Sequence, residues 1–72
     1  MDGIQEFLRR EAAQALEKWK TAERFLEQTS DPQLMDFAIY SAEAAKQKYL
    51  YILRILRQRE EEDEADGGLT VL

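Results

Sequence analysis

The sequence predicts an all-α protein: an antiparallel two-helix hairpin that dimerises into a four-helix bundle and carries a disordered acidic C-terminal tail. Three observations lead there. Two stretches repeat apolar residues at alternating steps of three and four, the spacing of helices that each carry one packing stripe. One strong break, Thr29-Ser30-Asp31-Pro32, separates them. Finally, the stretch Tyr49-Leu50-Tyr51-Ile52-Leu53-Arg54-Ile55-Leu56 is apolar or aromatic at seven of its eight positions. As a helix it would present oily groups all round its axis, and one facing helix covers only about a third of that circumference.

Helix 1 is expected over residues 3–28. Asp2 can cap its N-terminus, with Gln5 three residues on able to reach back as in a capping box. Leu8, Ala12, Ala15, Trp19, Ala22 and Leu26 form its packing stripe, widened by Ile4, Phe7, Leu16 and Phe25. The remaining face is charged, and Glu6 precedes Arg10 by four residues in the favourable orientation. Pro32 would cost about 3 kcal/mol inside a helix but suits a first turn, with Asp31 or Ser30 as the cap. The chain therefore stops and restarts, and so short a linker favours an antiparallel return.

Helix 2 is expected over residues 32–60, with Met35, Ala38, Ala42, Ala45, Tyr49, Ile52 and Leu56 as its stripe. Folding one stripe onto the other places residues whose numbers sum to about 61 opposite each other. Leu26 then meets Met35, Ala22 meets Ala38, Trp19 meets Ala42, Ala15 meets Ala45, Ala12 meets Tyr49, Leu8 meets Ile52, and Ile4 approaches Leu56. Alanine pairs let the backbones approach while Trp19 and Tyr49 fill space opposite small residues, which is how a dense core interdigitates. This pairing strands Phe7, Leu16, Phe25, Phe37, Ile39, Leu50, Tyr51, Leu53 and Ile55. Burying one such side chain is worth roughly 1.5 to 3 kcal/mol, and two hairpins packed as a bundle would cover much of the set. The residues assigned to that interface are Phe7, Ile39, Leu50, Tyr51, Leu53 and Ile55.

Composition points the same way. A chain of 72 residues makes one small domain, residues 1–60 here, and chains below about 80 residues usually need some aid beyond their own core. With no Cys and no His there is no disulfide, thiolate site or imidazole ligand. Oligomerisation is the remaining aid. The formal net charge is −5, from 15 acids and 10 bases, but residues 60–72 hold six of the acids and no base. The rest of the chain is therefore close to neutral, and the acidity belongs to the tail, residues 61–72. No stretch reaches the roughly 20 apolar residues that span a bilayer, and Met1-Asp2-Gly3 lacks the basic start of a leader. A cytoplasmic protein is expected.

Part of the chain resembles a known family. The segment Ala22-Glu23-Arg24-Phe25, then Thr29-Ser30-Asp31-Pro32-Gln33-Leu34-Met35-Asp36-Phe37-Ala38-Ile39-Tyr40, then Ala44-Ala45, Tyr49-Leu50-Tyr51 and Leu53-Arg54, is similar to the YaaL-like family of small bacterial proteins of unknown function. The likeness covers roughly residues 20–57, and its most telling part is the Asp-Pro-x-Leu-x-Asp-x-Ala-Ile-Tyr run. Met35 and Phe37 are conservative variants within it, while Ser41 and the tail are peculiar to this chain. The resemblance implies a bacterial, cytoplasmic, helical protein. It transfers no catalytic residue or cofactor.

Candidate chemistry is sparse. Asp36 and Glu43 on helix 2, with Glu6, Glu11, Glu17, Glu23 and Glu27 on helix 1, could meet as a di-metal carboxylate site, but such sites also use a Glu-x-x-His element. They read better as a solvated face. The run Glu60-Glu61-Glu62-Asp63-Glu64 with Asp66 lacks the turn glycine of a calcium loop and reads as a solvating tail. Arg54, Arg57 and Arg59, with Lys46, Lys48, Arg9 and Arg10, form a candidate phosphate or partner contact near the open end of the hairpin. Tyr49 and Tyr51 nearby could stack bases but are expected to be largely buried. A membrane-surface helix would need one broad apolar face, and Thr70-Val71-Leu72 is a weak match to endings taken up by strand addition.

No nucleophile, general base or phosphate loop is identifiable. The expectation is a non-enzymatic helical interaction protein acting as a homodimer, with no cofactor, metal, small-molecule substrate or membrane, and with a second protein as a further candidate partner. The alternative is a nucleic-acid-associated protein that uses the helix 2 arginines and is restrained by its acidic tail.

Overall fold

A computed structural model describes the backbone of residues 3–71 and the side chains of residues 3–60. Helix α1 spans Gly3–Gln28 and helix α2 spans Pro32–Val71. They pack against each other as a helical hairpin, and no strand is present among the described residues. The break between them is built as its residue types dictate. The Thr29 N–H closes the end of α1 on the Phe25 carbonyl at 3.1 Å. Asp31 is the N-cap of α2: its Oδ1 accepts the Gln33 N–H at 2.9 Å, and its carbonyl accepts the Met35 N–H at 2.8 Å. Pro32, which has no N–H to offer, occupies the first helical position, where that loss is harmless. Thr29 Oγ1 accepts the Asp31 N–H at 3.2 Å, fixing the cap in turn. Asp2 lies outside the described residues, and its capping role with it.

Helix α2 runs past residue 60, where the sequence reading had ended it. No proline follows Pro32, and Glu has good helix propensity. The expectation of a disordered acidic tail falls on residues 61–72, whose side chains lie outside the described residues.

The seam is made of the two predicted stripes. Ala12, Ala15 and Ala22 of α1 and Ala38, Ala45 and Ile52 of α2 are buried. Leu8, Trp19 and Leu26 on one side, and Ala42, Tyr49 and Leu56 on the other, are half-buried. Among the described residues five of the six buried ones are alanines, so the helices sit close together and the larger side chains pack at the edges of the seam. The stripe does not extend to its expected ends. Ile4 is 58% exposed and Met35 is exposed as well.

Trp19 and Tyr49 show how side-chain direction modifies a register read from numbers alone. Their ring centroids are 6.2 Å apart with the planes tilted by 50°, although their numbers sum to 68. Helical side chains lean toward the N-terminus of their own helix. In an antiparallel pair, Trp19 leans away from the connection and Tyr49 leans toward it. The rings therefore meet over the Ala15 and Ala45 level, a turn from the position expected for Trp19 opposite Ala42. The Lys46 ammonium sits 6.0 Å from the Trp19 ring centroid and shelters that edge of the indole. Lys48 Nζ reaches Glu11 Oε1 at 2.9 Å, a pair whose numbers sum to 59, within about half a turn of the expected register.

Candidate interaction surface

Once the seam is fixed, a rotation of about 100° per residue sorts the other side chains onto two flanks of the hairpin and the back of each helix. In an antiparallel pair, the same rotational side of both helices faces the same way. One flank carries Phe7 and Phe25 of α1 with Phe37, Tyr40, Tyr51 and Ile55 of α2. The opposite flank carries Leu16 of α1 with Ile39, Leu50 and Leu53 of α2. All five exposed aromatic side chains therefore share one flank, between 41% and 72% exposed. Ile55 is half-buried beside them.

The aromatic flank is concave near the connection. Phe25, Leu34, Phe37 and Tyr40 surround a groove of about 760 Å³, with Ala22, Ala38, Ser41, Ala44 and Ala45 along its bottom. Glu17, Lys18, Thr21 and Lys48 complete its edge. The floor is made of small residues because the alanine seam continues into it, so the backbones lie near the surface and the rings stand above them. The middle of the flank is already neutralised by the Glu11 to Lys48 pair, in which the Glu11 side chain is the less exposed partner.

The six residues assigned to an interface are thus divided. Phe7, Tyr51 and Ile55 lie on the aromatic flank, and Ile39, Leu50 and Leu53 on the other. Phe7, Ile39, Leu50 and Tyr51 are exposed, while Leu53 and Ile55 are half-buried. Tyr51 is outside the seam, as its place in the stranded set implies. It is 60% exposed, because it immediately precedes the seam residue Ile52 and so points about 100° away from the seam, while Tyr49 is half-buried. Tyr40 was missed as a surface residue, and Phe25 and Phe37 were recognised as stranded without being assigned to a face. The signal was present in the steps of seven from Phe37 through Ala44 to Tyr51, and in the spacing of Phe7 and Phe25, which a helix of 3.6 residues per turn returns to the same side.

The basic residues do not gather on one face. Arg54 points to the back of α2, Arg57 to the flank opposite the aromatics, and Arg59 toward the seam, where it is half-buried. Lys48 is engaged with Glu11, Lys46 lies over Trp19, and Arg10 pairs with Glu6 at 3.8 Å on the exposed face of α1. Among the described residues no group of three or more His, Cys, Asp or Glu side chains is placed to hold a metal ion. No helix is long and apolar enough to cross a membrane, again among the described residues.

No curated protein and no solved structure matches the chain. A family model described as "Protein of unknown function (DUF2508)" matches residues 5–62, which takes in α1 from Gln5, the Asp31-Pro32 break and α2 as far as Glu62. With two helices of the expected kind and a match over most of its length, the chain belongs to the DUF2508 family of proteins of unknown function.

Proposed function

We propose that this protein is a non-enzymatic helical interaction protein that works as a homodimer, a YaaL-like bacterial and cytoplasmic member of its family. One observation carries the reading: ten large apolar side chains are exposed among the described residues of a single hairpin whose buried core is mostly alanine. A small domain gains little from an alanine seam, since hydrophobic stabilisation scales with the apolar area removed from water. A second copy removes more of that area, and a two-fold dimer is the commonest closed assembly. The dimer surface is also the surface on which a different protein could later dock. The scattered arginines lend no support to the nucleic-acid alternative. Size-exclusion chromatography with light scattering at low micromolar concentration tests the proposal. A mass of two chains is expected, and a stable, folded single chain overturns it.

A further inference from the structure

Resting on the homodimer reading, we infer that the two copies meet through the aromatic flank alone, related by a two-fold axis that sets their connections at opposite ends of the bundle. Area selects the flank. At about 200 Å² per aromatic side chain, the exposed fractions of Phe7, Phe25, Phe37, Tyr40 and Tyr51 amount to roughly 500 to 600 Å². A stable interface takes about 800 Å² from each partner, and Leu34, Ala44 and the stems of Lys18 and Lys48 lie alongside to supply the remainder. Both flanks carry charges, Arg9, Glu23, Lys46 and Arg57 on the opposite one and Lys18 with the Glu11 to Lys48 pair on the aromatic one, so area decides: the opposite flank exposes no aromatic side chain.

Spacing selects the axis. On α1, Phe7 and Phe25 are equidistant from Leu16. On α2, Phe37 is as far before Ala45 as the midpoint of Tyr51 and Ile55 lies after it. Leu16 and Ala45 are themselves at one level of the hairpin, since their numbers sum to 61. A two-fold axis crossing there stacks Phe7 on Phe25 of the second copy and inserts Phe37 between Tyr51 and Ile55. Ser41 and Ala44 leave room at the centre. Charge agrees: this axis sends the two acidic segments, six acids each, to opposite ends, whereas the parallel alternative crowds them together.

The test combines light scattering with a distance. Phe37→Glu and Tyr40→Glu replace exposed residues and should leave helicity intact by circular dichroism while shifting the mass from two chains to one. Ile39→Glu and Leu50→Glu should leave the two-chain mass unchanged. The chain has no Cys, so Ser30→Cys gives one spin label per copy at the connection, with an expected separation of roughly 45 Å from 1.5 Å rise per residue. A wild-type monomer sinks the homodimer reading itself. A dimer lost through Ile39→Glu or Leu50→Glu, and indifferent to Phe37→Glu and Tyr40→Glu, keeps that reading and overturns the face. A short label distance in a dimer that does depend on Phe37 overturns the axis.

Discussion

At the scale of single residues, the structure turns on small side chains in the seam and on one cap. Ala15 is 1% exposed, with the Trp19 and Tyr49 rings meeting above it and Ala45. Ala15→Leu should force the helices apart and cost about 1 to 3 kcal/mol by overpacking, measured as a lower urea midpoint. Asp31→Ala removes the acceptor of the Gln33 N–H and should cost about 1 kcal/mol; Asp31→Asn, which keeps an acceptor, should recover most of it. The Glu11 to Lys48 pair is short but half exposed. A double-mutant cycle on Glu11→Gln and Lys48→Met should therefore give a coupling below about 1 kcal/mol, and a value well above that would mean the pair is more desolvated than its exposure indicates.

At the scale of elements, the two helices and their break were legible because each depends on local chemistry. The step pattern marks the stripes, Pro32 cannot sit inside a helix but suits its first turn, and Asp31 or Ser30 before it suits the cap. The seam was legible too, because alanines placed opposite alanines announce close backbones. What the numbers did not give was the lean of side chains along the helix, which moved Trp19 onto Tyr49, and the exposure of Ile4 and Met35 at the ends of the stripes. The division of the stranded apolar set into two flanks needed the seam first, since a flank is defined only relative to it. Phe37, Tyr40 and Tyr51 look scattered in sequence and become neighbours only once Ala38, Ala45 and Ile52 are known to face inward. Trp19→Ala should remove the ring contact with Tyr49 and the perch of Lys46. Because Trp19 is only half-buried, a loss of roughly 2 to 3 kcal/mol is expected, toward the low side of the range for buried aromatics, read as a fall in thermal midpoint.

At the scale of the whole molecule, the hairpin hides alanines and shows aromatics. That inversion of the usual burial order is the physical fact from which the proposed assembly grows. Its consequence is a stability tied to concentration, because a dimer gains by mass action what a lone hairpin lacks. The thermal midpoint should rise as the protein concentration rises, and Phe37→Glu should abolish that dependence. The most direct test is sedimentation equilibrium of the wild-type chain across the micromolar range. A mass twice the 8.4 kDa of one chain, falling to a single chain only on dilution, is the predicted result; a folded species of one-chain mass throughout that range would contradict it.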